Sequence, residues 1–556
     1  MGASVSLLIR RLLPWLGVAI FLGVFFFYPI ARILGLSLNF SALDAAALAL
    51  TYHVLFFTFT QALLSTLLTF LLGLPAAFLF SRYQFRGKSL LRALTAIPFM
   101  LPTVVVAAGF SAWLGPRGWL NIAMMEFFHL ASPPIRFTGT LAAILLAHVF
   151  YNTTIVIRMT SNALAHLDPR LDQAARTLGA DPRRVFWRVT LPLLRPSLLA
   201  AALLVFIFDF TSFGVILLLG GSRFSSLEVE IYQQAIQLFN LPLAAWLSLI
   251  QLLCTLAFSI LYTRVIARFI TPNTPRSIPP RKPRSLQERF IISSFIFLLV
   301  SFYLLPLSSL PIRSLTRLEA DLGQRGQVQY GLTVDYYTEI FINRTGSLFY
   351  VPPVRALFNS LGYAALTVIL SIIIGFPAAS ALSHPGRIER LLDPLLLLPL
   401  GVSSVTLGLG FILSFGPMLA SPWMVPLAHT LIALPFVIRT LQPALASIPE
   451  QLRRAAASLG ASPIRAWFAV DWPIVRRATL TGAVFAFTVS LGEFGATALV
   501  SRPEYPTLPM AIYRFFSQPG GMNYGQAMAM ATILMCVCGA GILLIEKFRL
   551  PGTGEF

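Results

Sequence analysis

Long apolar runs separated by short polar, mostly basic stretches dominate the chain. They fall near residues 12–38, 53–80, 90–114, 139–161, 196–220, 241–267, 290–312, 354–382, 391–415, 423–446, 478–500 and 524–545. Each is about as long as the roughly 20 residues an α-helix needs to cross the apolar core of a bilayer. Twelve membrane-spanning helices are therefore predicted, and the fold class is all-α integral membrane. The first run follows Arg10 and Arg11 and lacks a small-residue cleavage site. It is also too long for a signal-peptide core, so it reads as an uncleaved first span.

One stretch breaks the pattern. TPNTPRSIPPRKPRSLQER, residues 271–289, is rich in proline and basic residues and cannot span. It reads as a linker between a first half, 1–270, and a second half, 290–556. Composition agrees with a polytopic membrane protein: 57% of the 556 residues are hydrophobic and 11% charged, against about a quarter charged in soluble domains. The formal net charge of +20 would suggest nucleic acid in a soluble protein, but its placement is topological. Of the 41 Lys and Arg, 28 fall in alternate loops, on the side of the linker and both termini. By the positive-inside rule these are cytoplasmic, and no nucleic-acid partner is implied.

An internal repeat organises the spans. LGADPRRVFWRVTLP at 178–192 matches LGASPIRAWFAVDWP at 459–473 with an offset of 281. The same offset pairs His148 with His429, Arg158 with Arg439, Phe213-Gly214 with Phe494-Gly495 and Tyr232 with Tyr513. Earlier in each half an offset of 302 pairs Gly73 and Pro75 with Gly375 and Pro377. Six spans separate equivalent points, so the two six-helix repeats are parallel and a pseudo-two-fold axis runs along the membrane normal. A path on that axis is the expected consequence.

The long cytoplasmic loops 163–192 and 444–473 each combine a helical stretch, a glycine, a turn holding proline, a second short helix and a helix-entering proline. Helix-stop turns would use the same residues, but two copies at a constant offset point to a docking surface. These loops resemble the coupling loops of permease subunits of binding-protein-dependent ABC importers. The matching residues are Ala174, Ala175, Gly179 and Pro192, and Ala455, Ala456, Gly460 and Pro473. The family's acidic position is Gln173 in one loop and Arg454 in the other. The resemblance implies two copies of an ABC ATPase subunit inside, which bind the ATP and Mg, a solute-binding protein outside, and no cofactor in this chain. The implied location is a bacterial or archaeal plasma membrane, with both termini cytoplasmic.

Nothing in the sequence points to catalysis. No GxxxxGK[ST] loop exists, since the Gly-Lys-Ser at 87–89 has Arg82 in place of the leading glycine. The six histidines are scattered, no metal pattern is present, and Cys254, Cys536 and Cys538 read as structural thiols. A secondary transporter is the rival class, but it has no use for paired docking loops.

The candidate path lies in FIFDFTSFGVILLLGG (206–221) and FTVSLGEFGATALVS (487–501), with Asp209, Ser212, Phe213, Ser490, Glu493 and Phe494. An intramembrane carboxylate is costly unless it faces a cavity or a partner. Both acids are expected either to face a shared cavity or to pair with a helix-terminal amide or an arginine. Phe206, Phe208, Phe210 and Phe213 either stack on a flat cation or face lipid. LGGSRFSSLEVEIYQQAI (219–236) is similar to the thiamine and ferric-iron permease group, which makes ferric iron or thiamine the expected solute. LGEFGAT (491–497) resembles sulfate and molybdate permeases, which move anions. The segment 313–353, with Asp321, Asp335 and Glu339, reads as part of a platform for the binding protein or as a disordered connector.

Overall fold

The computed structural model describes residues 13–38, 44–267, 281–317, 331–342, 351–383 and 386–548. Arg10, Arg11, linker residues 271–280, Asp321 and Arg549 lie outside them. The chain is an all-α membrane protein: among the described residues ten helices are long and apolar enough to cross a bilayer, and two bent pairs, each counted as one span, bring the number to twelve.

Two of the twelve expected spans are bent. The runs at 90–114 and 391–415 fold as Lys88–Met100 with Thr103–Phe128, bent by 112°, and Ile388–Gly401 with Ser404–Ala420, bent by 95°. At the first corner Leu101 is extended (φ −80°, ψ 144°), the conformation that a following proline imposes. Pro102 also has no N–H with which to continue the helix. At the second corner Val402 is extended, and the Ser403 Oγ accepts from the Thr406 N–H at 3.2 Å to restart the helix.

The first span of each half packs on the other half. Leu13–Ser37 lies against Ser404–Phe415, with Phe25 contacting Phe411 and Phe415 at ring-centroid distances of 6.1 and 5.6 Å. A Cβ on Gly410 would come 2.8 Å from Pro29 Cβ. Leu286–Ser314 lies in the same way against Thr103–Leu114. A Cβ on Gly109 would come 2.8 Å from the Pro306 carbonyl, and Phe150 sits on Phe302 and Tyr303. Glycine at each crossing lets the backbones approach closely, the usual device for helix association in lipid.

The end of the linker is fastened to the first half. Arg281 N–H donates to the Arg82 carbonyl and Gln84 N–H to the Arg281 carbonyl, both at 2.9 Å. The Arg281 guanidinium lies 4.9 Å from the Tyr83 ring centroid and 2.5 Å from Glu288 Oε1, which also accepts from the Tyr83 hydroxyl at 2.7 Å. Burial and this carboxylate hold the Tyr83 phenol above its ordinary pKa.

On the opposite face, the described parts of 313–353 are packed in part. Thr316–Arg317 pairs antiparallel with Gly331–Leu332, and Arg317 Nη2 lies 2.9 Å from Asp335 Oδ2. The Tyr336 ring sits where a side chain on Gly525 would be, and Glu339 is buried.

Candidate functional site

Two pairs of features repeat at the offset of 281: exposed turns at one face and helix breaks inside the membrane. In the first loop, helix Pro169–Thr177 ends at Gly179, which adopts φ +82°. In the second, helix Glu450–Ser458 ends at Gly460 with φ +79°. Ala180 N–H donates to the Ala175 carbonyl and Ala461 N–H to the Ala456 carbonyl, each at 3.0 Å. This is the six-to-one closure that a left-handed glycine permits at a helix end. Ala174, Gly179, Ala455 and Gly460 are exposed, and Ala175 and Ala456 are half-buried in both copies. Leu178 and Leu459, each 88% exposed, project at the apex.

The segment after each glycine differs from the expected separate short helix. Pro182–Val185 and Pro463–Ala466 run without interruption through π turns, Phe186–Thr190 and Trp467–Asp471, into the spans Leu191–Phe210 and Trp472–Gly492. Pro192 and Pro473 therefore sit within continuous helices and do not open new ones. Their missing N–H groups are tolerated because the π turn has already shifted the hydrogen-bond register.

Each of these spans breaks before its apolar run ends, at Thr211–Phe213 and at Glu493–Phe494, and a six-residue helix follows, Gly214–Leu219 or Gly495–Val500. Both acids are buried, and each bonds to groups of its own half. Asp209, 1% exposed, accepts from Asn152 Nδ2 at 2.6 Å through Oδ1, which lies 3.4 Å from His148 Nδ1. Its carbonyl accepts from Gln61 Nε2 at 2.8 Å, which supplies a partner at the helix end. Glu493, 9% exposed, folds onto the next helix, its carboxylate accepting from the Ala496 N–H at 3.2 Å and the Thr497 N–H at 3.3 Å. Of the two expected arrangements, Glu493 adopts the helix-terminal amide pairing.

A histidine braces each break. His148 Nε2 and the Ser212 hydroxyl share a hydrogen bond at 2.8 Å. His429 reaches Ser490 through Nδ1 and Thr497 through Nε2, both at 2.8 Å. Acid and serine exchange places between the copies, Asp209 and Ser212 matching Ser490 and Glu493, yet the histidine keeps its position. The helices beyond are held alike too: Thr58 Oγ1 accepts from the Leu227 N–H at 2.9 Å and Ser360 Oγ from the Leu508 N–H at 2.7 Å. His148 and His429 are legible in the sequence as polar residues repeated inside apolar runs. Thr58 and Ser360 carry the same signal at the offset of 302, whereas Glu228, which is buried and accepts from Gln251 Nε2 at 3.0 Å, does not.

The aromatic series divides. Phe206 and Phe210 pack on Phe258, and Phe208 faces outward against Phe99. Phe213 reaches the other half and stacks on Phe494, ring centroids 5.3 Å apart.

The chain is similar along most of its length to thiamine transport system permease proteins ThiP. That of Brucella abortus (strain 2308) is 29% identical over 517 residues, covering 91% of this chain and 89% of the relative. That of Escherichia coli (strain K12) is 27% identical over 514 residues, covering 90% and 89%. A probable ABC transporter permease protein, y4fN, of Sinorhizobium fredii (strain NBRC 101917 / NGR234) is 24% identical over 507 residues, covering 88% and 86%. These relatives are transport permeases and not enzymes. Two stretches, 69–271 and 371–547, match one family description, and each holds one exposed turn and one helix break. The chain thus belongs to the binding-protein-dependent transport system inner membrane components, as an ABC importer permease with its two copies joined in one polypeptide.

Proposed function

We propose that this permease carries thiamine inward along a path between its two repeats. The observation that carries the reading is similarity to thiamine permeases over about nine-tenths of both chains. Nothing comparable supports ferric iron. The sulfate and molybdate alternative rests on LGEFGAT, whose glutamate is engaged in capping Gly495–Val500.

Two copies of an ATP-hydrolysing subunit dock on the cytoplasmic face, one at Ala174, Ala175 and Gly179 and the other at Ala455, Ala456 and Gly460. The matched backbone closures at both glycines support two equal partners. ATP and Mg bind in those subunits, and this chain needs no cofactor. A solute-binding protein delivers from the opposite face, where the exposed Leu332, Val334 and Phe341 form part of its platform. Both termini and the linker are cytoplasmic. The path passes Ser212, Phe213, Ser490 and Phe494, while Asp209 and Glu493 hold the helix breaks in shape.

The test is uptake by proteoliposomes holding the permease, its ATPase and a thiamine-binding protein. ATP-dependent accumulation of labelled thiamine is expected, with sulfate and molybdate at background. Anion uptake without thiamine uptake would replace the solute. Accumulation driven by an ion gradient without ATP would sink the importer mechanism.

A further inference from the structure

We propose that Phe213, Phe494, Tyr232 and Tyr513 form the closed gate of the solute path. The proposal rests on the permease reading above and adds the residues that block the path. Phe213 and Phe494 are counterparts at the offset of 281, as are Tyr232 and Tyr513. Two equivalent groups that touch each other must straddle the axis relating the repeats. Both pairs do so. The phenylalanine rings stack at 5.3 Å with 29° between their planes, and the tyrosine side chains are within interacting range of each other. Each phenylalanine also rests edge-on against the tyrosine of its own half, at 5.4 and 5.6 Å, with 62° between planes in both cases.

The four rings therefore make one cluster on the axis, built twice from the same positions. Phe213, Phe494 and Tyr232 are buried and Tyr513 is half-buried, so the four rings are packed on one another. The Gly214 backbone also lies close to the cluster, since a Cβ there would stand 3.1 Å from the Phe494 ring. Phe213 and Phe494 both sit at helix breaks, where a change in backbone angles swings a side chain without moving a whole span. The cluster lies away from the docking turns. His148, which braces the Phe213 break, is seven residues from the Leu141 end of its helix, about 10 Å in from the far face at 1.5 Å per residue. When the rings part, the faces that seal the path become its lining, and two aromatic faces opposite one another suit a flat, cationic heteroaromatic solute.

The experiment reads leak before transport. The permease–ATPase complex is reconstituted in vesicles loaded with labelled choline, without ATP or binding protein. Wild type is expected to hold the choline, and Phe213→Ala with Phe494→Ala to release it at least tenfold faster. A correctly inserted double variant as tight as wild type overturns the gate. A second variant guards against misfolding: Phe213→Cys with Phe494→Cys, in a chain whose three native cysteines are replaced. A short cleavable thiol linker should join the pair in the resting protein and stop ATP-driven uptake until a reductant releases it. Failure to link, or continued uptake once linked, also overturns the gate. Choline leak does not depend on the natural cargo. A tight wild type that fails to take up thiamine removes the thiamine reading alone, whereas a tight alanine variant removes the gate whatever the cargo.

Discussion

Arg453 Nε lies 2.9 Å from Asp471 Oδ1, fastening helix Glu450–Ser458 to the π turn that begins the next span. In the first repeat the equivalent positions are Asp172 and Thr190, and Asp172 turns to Arg176 on its own helix at 3.1 Å. The two glycine turns have one shape and different attachments. Asp471 is buried, and stranding a shielded charge is more damaging than losing an exposed pair. Arg453→Ala should lower hydrogen-exchange protection across 450–461 by roughly tenfold, about 1.4 kcal/mol, and leave 169–180 unchanged. Equal loss in both segments would show that the pair does not set the difference.

Gly179 and Gly460 have left-handed backbones and open space where a Cβ would stand. Alanine there should strain the turn by about 1–2 kcal/mol and still allow insertion. Tryptophan at either site should insert but abolish seating of the ATPase, lowering binding-protein-stimulated ATP hydrolysis at least tenfold. Normal stimulation in purified complexes of either Trp variant would remove the docking role.

The histidines at the breaks should matter for stability. His429→Ala removes partners from two buried hydroxyls, Ser490 and Thr497, and should cost about 1–3 kcal/mol. His148→Ala removes one such bond, to Ser212, and its effect should be smaller. Thermal unfolding in detergent reads both, and a His429→Ala protein melting with wild type would show that the break needs no brace.

Orientation follows from the basic loops. A single cysteine at Ser285, beside the Tyr83–Arg281 clamp, should be labelled only from the cytoplasm, and one at Leu332 only from outside. Labelling of Leu332 from the cytoplasmic side alone would invert the topology.

The spans, their repeat and the paired glycine turns were legible because each depends on local chemistry: apolar length for the spans, a left-handed glycine for the turns. The corners at Leu101 and Val402 were not, since an apolar run has the same composition whether it crosses the bilayer or doubles back. Nor were the partners of the acids. A carboxylate in a span announces that it needs partners, but whether it bonds the next turn, as Glu493 does, or another helix, as Asp209 does, depends on a backbone break that no periodicity marks. The Phe213–Phe494 contact was half legible, because the offset identified the two residues as equivalents and only the fold brought them together.

The exchange of first spans between the halves has a bearing on synthesis. Phe150 and Gly109 belong to the half made first, yet the surfaces that cover them, Phe302, Tyr303 and Pro306, are translated more than 130 residues after Phe150. Until Leu286–Ser314 has left the ribosome and entered the membrane, one groove of the first half is filled by lipid alone. The N-terminal half is thus inserted early but completed late, and the same strand of linker that joins the halves in sequence times the moment at which either becomes whole.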